Sequence, residues 1–252
     1  MPKEFLVPMR KFKRLLDYME RLGLDVDQIL EALGTDRQRL ARIPEDQSLP
    51  SSDYSKVYGL AVQQMQGLKR PIPWAAGIGS EAFEVMCHCA VSGSTLGQAL
   101  GLAQRYDRLL YPLIGYRMTL ESTPQHGFLH YHFRVDSDGS VFVPDDWDWG
   151  EHFETVSHAS GLTVWHGFCG WLIGRELELE EVQIQGPPVS DAYQKSLEDV
   201  FSCAVNFNCD SNKLVFPAEF LQRRVVHTAD SLDKFLANAV YELIAFNSKP
   251  AS

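Results

Sequence analysis

The stretch VQIQGPPVSDAYQKSLEDVFSCAVNFNCDSNKLVFPAEFLQRRV, residues 182–225, decides the fold. It begins inside LEEVQIQ (179–185), where apolar and polar side chains alternate as on a half-buried strand. Ser190 then offers an oxygen to cap SDAYQKSLEDVF, which reads as a helix. AVNFN and NKLVF return to alternation on either side of the turn CDSN. Strand, helix and two further strands in so short a span require a sheet with a helix packed on it.

Upstream, the period is helical. In MRKFKRLLDYMERLGL, Phe12, Leu15, Leu16, Met19 and Leu22 recur three and four apart, and the helix stops at Gly23. DVDQILEALG is a short second helix with an Asp cap and a terminal Gly34. A third starts at Ser51 or Ser52 and buries Tyr54, Val57, Tyr58, Ala61, Val62 and Met65. GSEAFEVMCHCAVS and STLGQALGLAQRYDRLLYPL add two more, the second capped by Ser94 with Leu96, Leu100, Ala103, Tyr106 and Leu110 as its buried stripe. After Pro112 the period changes. YRMTLES and HGFLHYHFRVD alternate as a hairpin joined through Thr123, Pro124 and Gln125. EHFETVSHASGLTVWHGFCGWLIG reads as a long, largely buried helix ending at Gly174, and ADSLDKFLANAVYELIAFN as a closing amphipathic helix. The fold expected is α+β: a helical amino-terminal half, then a small, mostly antiparallel sheet with covering helices.

Composition narrows the function. With 252 residues and 45% hydrophobic content there is enough chain for a real core. The formal net charge of -10 argues against a chain that grips nucleic acid by itself, because phosphate binding needs a basic footprint. Five cysteines without paired spacing suggest free thiols in a reducing, cytoplasmic setting. Met1 leads into a charged amphipathic stretch rather than a signal peptide, and no window approaches the roughly eighteen apolar residues of a membrane span.

Catalytic and metal signatures are absent from the sequence. There is no GxSxG elbow, no GxGxxG, no phosphate loop, no CxxC and no HExxH. MCHC (86–89) places its ligand types about 100° apart on a helix, so they cannot converge on one ion, and core packing is the better reading. His130 and His132 share a strand face and form half a metal site at most, with His126 a third candidate; a hydrogen-bonded strand face explains them as well. No metal and no cofactor are expected.

One segment stands out. VPDDWDWGEHF (143–153) sets Trp147 and Trp149 among Asp145, Asp146, Asp148 and Glu151, within a run from Asp136 to Glu154 that has seven acidic residues and no Lys or Arg. Two readings stay open. It is a cage in which indole faces and carboxylates converge on a cation, or a cover strap pinned by its tryptophans with the acids in water. In an extended segment Trp147 and Trp149 share one side and Asp146 and Asp148 the other, so a cage needs a turn, which Gly150 can supply.

The stretch 182–225 and a second one, IPWAAGIGSEAFEVMCHCAVSGSTLGQALGLAQRYDRLLYP (72–112), resemble the amino-terminal effector domain of AraC/XylS-type transcription regulators, the variety called arabinose-binding. The earlier stretch has the Gly-rich helix start, the Thr-Leu-Gly cap and the Arg-Tyr pair. The later one has strand, proline, tyrosine-bearing helix, Phe201, short strand, Asn and a Leu-x-Phe strand. The resemblance runs from about Arg10 to Val226. Where the family usually has Gly after Phe201 and Pro before Val205, this chain has Ser202 and Ala204.

The resemblance implies a sensor without catalysis. It binds a small-molecule effector, forms a homodimer, and passes the bound state to a carboxy-terminal pair of helix-turn-helix motifs. Residues 1–226 would be the regulatory domain (helical over 1–112, α/β over 113–226), and 227–252 a linker or dimerisation helix. That half is not found in this sequence, which is expected to be a truncated piece of a longer regulator rather than a natural orphan sensor. In that setting a cage would suit a cationic amine, with Trp147, Trp149, Asp146 and Glu151 in contact and Tyr106, Tyr131 and Trp165 lining the pocket. The alternatives are a fatty acid or other apolar effector, a small carboxylate-dependent enzyme, and a heme or metal sensor using His88, His130 or His132.

Overall fold

The computed structural model describes residues 6–21, 23–67, 75–133, 152–237, 239 and 243. A two-stranded antiparallel ribbon, β1 (Leu6–Pro8) with β2 (Ser48–Pro50), brackets the first helices. These are α1 (Met9–Arg21), α2 (Val26–Ala32) and α3 (Arg37–Ala41), and α4 (Ser51–Gly67) follows β2 directly. Phe12, Leu16 and Met19 are buried on α1, as their spacing predicts; Met9 joins them and Leu15 is half-buried. Asp25 caps α2, accepting from the Gln28 amide at 3.0 Å. The Gln64 side chain of α4 completes that start by accepting from Asp25 N–H and donating to Asp25 C=O, at 2.8 and 2.9 Å. The ribbon and α3 were not anticipated from the sequence, because elements of three to five residues are too short to show a period.

Helices α5 (Glu81–Val91) and α6 (Leu96–Ile114) form a hairpin whose backbones meet closely at Gly93. A side chain there would strike the Ala99 backbone. The cap of α6 is Thr95, which accepts from Gln98 N–H at 3.3 Å, and not Ser94. The reason is tertiary. Thr95 bridges to Arg224 and is thereby held extended, as a cap residue must be, while Ser94 N–H donates to the Gln98 side chain.

The main sheet has the order β3 (Tyr116–Ser122), β4 (His126–Phe133), β7 (Lys213–Pro217), β5 (Glu181–Gln183), β6 (Val205–Asn206). Every pairing is antiparallel except β5 with β6. Helix α8 (Asp191–Phe201), capped by Ser190 as the sequence predicts, carries the chain between those two parallel strands. The strands flanking the CDSN turn are therefore not partners: β6 is at the edge and β7 is two places inward.

Alternation gives the sheet two faces. Tyr116, Met118, Leu129, Tyr131, Val182, Leu214 and Phe216 are buried on one of them. Across that face runs α7 (Phe153–Ile173), closed by Gly174 at φ 68°. It buries Ala159, Leu162, Val164, Trp165, Phe168, Cys169 and Leu172, and its remaining side (Val156, Ser160, Thr163, Gly167, Trp171) is half-buried, which is why its sequence carries no clear polar stripe. Gly161 lets it approach the sheet, because the Tyr131 ring occupies the space a methyl would need. Helix α9 (Ala229–Leu236) packs against α5 and α7, and most of the remainder of the closing helix expected from the sequence lies outside the described residues.

Candidate functional site

Trp147, Trp149, Asp146 and Glu151 lie outside the described residues; the chain reaches that segment at the end of β4 and leaves it at the start of α7. The other three sequence candidates are in view. Tyr131 and Trp165 are each 1% exposed and belong to the core. Their rings do not stack on one another: Tyr131 lies over Gly161, while Trp165 meets Phe168 edge-on at 6.1 Å. Trp165 Nε1 has no hydrogen-bond partner, and the Tyr131 hydroxyl faces the Ala76 backbone without a well-formed bond. Tyr106 is half-buried on α6 near Cys89.

Asp107, which no sequence signal marks, is the most deeply buried carboxylate of the described residues, at 2% exposure. Its Oδ2 accepts the Met118 amide at 2.9 Å, and three residues back on α6 the Gln104 side chain accepts the Leu120 amide at 2.7 Å. Both amides point away from β4, off the open edge of the sheet. Helix α6 thus supplies acceptors where a further strand would otherwise pair. Burial pushes the Asp107 carboxyl up to about 7, against the opposing pull of the Met118 amide. Around it Cys87, Tyr116 and Tyr131 are likewise held neutral by burial. The Cys169 thiol is pushed up to about 12, so neither buried cysteine is poised as a nucleophile.

The sheet face turned away from α7 carries the histidines. His126 Nε2 is 3.1 Å from Glu180, His130 Nε2 is 3.7 Å from Glu121, and His132 Nε2 is 3.0 Å from the Thr119 hydroxyl. His130 and His132 stack at 6.3 Å. Among the described residues no three metal-ligating side chains converge. Far from this face, a cleft of about 420 Å³ lies between α1, α2 and α3. Its rim alternates in charge (Arg10, Lys13, Asp17, Glu20, Arg37), and Arg37 is paired with Glu20 and Asp27.

At the far end of α7, Trp171 is held between two rings. His227 stacks on it at 4.0 Å and Phe235 of α9 at 4.2 Å, with Phe168 stacked on both Trp171 and Phe235 at 5.9 Å. The Val226 amide donates to Leu172 C=O at 2.9 Å, and the Thr228 amide to Ser231 Oγ at 2.9 Å. This clamp docks α9 on the same helix whose other end adjoins the acidic-aromatic segment.

Comparison with known proteins gives one extensive match. A family model described as the arabinose-binding domain of AraC transcription regulators, amino-terminal, covers residues 23–225. Among solved structures, the crystal structure of the transcriptional regulator CdpR from Pseudomonas aeruginosa is similar at 16% sequence identity and a TM-score of 0.44. The likeness covers 88% of this chain and 64% of that one, so this chain spans just under two thirds of that structure. No curated protein matches the sequence.

Proposed function

Because this chain belongs to the arabinose-binding, amino-terminal domain family of AraC transcription regulators, we propose that it senses a cationic amine and reports the bound state to a DNA-binding half beyond α9. The regulatory role follows from the family match over residues 23–225, which is the observation that carries this reading. The amine follows from the composition of the segment 143–153: Trp147 and Trp149 supply π faces, and Asp146 and Glu151 supply charge. Tyr106, Tyr131 and Trp165 are proposed as the adjoining aromatic wall.

The clamp supports the reporting step. Residues 227 onward follow directly on the family-matched segment, and their first helix is stacked on α7 through Trp171. An effector that favours one position of α7 shifts the docking of α9 by the difference in its affinity for the two states. Homodimerisation belongs to the same proposal. It gives the reporting step a symmetric output.

Thermal stabilisation tests the effector class. Against a panel of amines, amino acids, sugars and fatty acids, a saturating amine raises the melting temperature by the equivalent of about 2–4 kcal/mol, and Trp149→Ala abolishes the gain. Stabilisation by apolar acids alone would replace the amine with a fatty-acid effector. No response to any member would leave the cage without support and sink the amine reading.

A further inference from the structure

The sheet face turned away from α7 holds a concentration of basic side chains that the fold does not require. In the β3–β4 register Arg117 is opposite His132 and Thr119 is opposite His130, and in the β4–β7 register His130 is opposite Lys213. Four basic residues thus form a row across three neighbouring strands: Arg117–His132 and His130–Lys213 are directly opposed pairs, at about 5 Å, and His132 and His130 are alternate residues of β4 with rings 6.3 Å apart. Like charges so placed destabilise a sheet, here to the extent that the imidazoles are protonated. The acid that reaches this row among the described residues is Glu121, at the rim, with a 72% exposed side chain and its carboxylate 3.7 Å from His130.

Arg117 is the least compensated member. Its guanidinium lies 4.8 Å over the Tyr111 ring, and its Nε is buried with no hydrogen-bond partner. It forms no ion pair among the described residues. A charged donor left unpaired carries a desolvation cost that an acceptor would relieve. The chain as a whole has a formal charge of -10, so a cationic row runs against its overall balance.

We propose that Arg117, His132, His130 and Lys213 form a site for a small oxyanion, a carboxylate or a phosphate, on the sheet face turned away from α7. Arg117 supplies the guanidinium whose Nε is left unpartnered, the two imidazoles line the approach, and Lys213 closes the row over the Phe128 ring. This site goes beyond the effector reading, since it takes a ligand of opposite charge to the amine.

The chemistry couples anion and proton. The charged and titratable groups that face the row are Arg117 and Glu121 from β3, His130 and His132 from β4, Lys213 from β7, and Tyr111 from α6. His130 is lowered by burial and by Lys213 against Glu121, and His132 by burial, Arg117 and His130 against Glu121. With both imidazoles neutral the row carries Arg117 and Lys213 against one carboxylate. An oxyanion favours the imidazolium forms, so binding takes up protons and tightens as pH falls from 7 toward 5.

Imidazole NMR resonances read this directly. The chain is titrated with inorganic phosphate and separately with succinate, at ionic strength held constant with chloride. Saturable shifts of His130 and His132, an upward move of their titration midpoints by about half a unit or more, and quiet His88 and His227 resonances are the expected result. Arg117→Gln should remove the anion response while Arg117→Lys, which keeps the charge, retains it; loosened packing would raise the His132 midpoint as well, so this pair of variants separates charge from packing. Lys213→Gln gives the same reading on His130 if the first variant fails to fold. The anion that saturates at lower concentration names the source. The proposal is overturned if neither anion moves these resonances at concentrations on the order of tens of millimolar, or if Arg117→Gln responds as the parent does.

Discussion

Ser202 shows how a single residue carries a local cost. It ends α8 in the left-handed conformation, at φ 56° and ψ 26°, where a Cβ is strained and glycine is not. The sequence flags the position, because the family usually has Gly after Phe201. Ser202→Gly should therefore raise stability by roughly 0.5–1 kcal/mol, read as a higher denaturant midpoint at unchanged m-value. Asp107 is a different case, and no motif announces it. Its folded pKa of about 7 lies above the ordinary 3.8, so the folded state binds the extra proton between those values. Its stabilising effect is complete below pH 4 and is lost as pH rises through 7. His158 and His166, lowered by burial, act with the opposite sign: they destabilise the fold at low pH and cease to do so as pH rises past 6.5. The difference between wild type and Asp107→Asn isolates the carboxyl. Wild type should lose ground to the variant from pH 4 to pH 7, by on the order of a few kcal/mol, in unfolding measurements across that range.

Among the elements, α7 is the one that joins the rest. It has no charged stripe, so the sequence identified it as a largely buried helix without saying what it touches. The structure places Gly161 against Tyr131 near its middle and Trp171 in the ring clamp near its carboxy-terminal end. Trp171 is only half-buried, so its removal should leave the core standing and release α9. Trp171→Ala is expected to weaken the docking of residues 229–237 by about 2–3 kcal/mol. Hydrogen exchange should show those amides opening more readily while the amides of β4 and β7 keep their protection. Equal loss of protection in the sheet would mean that the clamp belongs to the core and does not act as a separate dock.

At the scale of the whole molecule, charge is the governing quantity. With a formal net charge of -10 and its basic row confined to one face of one sheet, this chain lacks the footprint that holds a phosphate backbone. Fluorescence anisotropy with a random duplex should show no binding at micromolar protein, even at low salt, where electrostatic attraction is strongest. Salt-sensitive binding in that assay would overturn the expectation that DNA contact belongs to a separate half. No helix of the described residues is long and apolar enough to cross a membrane.

What the sequence determined by itself is what short-range physics writes locally. Periods of two and 3.6 residues marked β3, β4, α1 and α4 to α8, and capping chemistry marked Asp25, Ser190 and Gly174. Those features depend on residues a few positions apart, so one chain suffices to read them. The clustering of tryptophan and carboxylate at 143–153 was legible for the same reason, although it lies outside the described residues. Only the tertiary structure decided that β7 enters between β4 and β5, that Thr95 rather than Ser94 caps α6, and that Asp107 and Gln104 serve the edge of β3. It alone set Arg117 and Lys213 on either side of a histidine pair and laid His227 on Trp171. These facts turn on contacts between residues far apart in the chain, where register and burial, which no local pattern encodes, determine which groups meet.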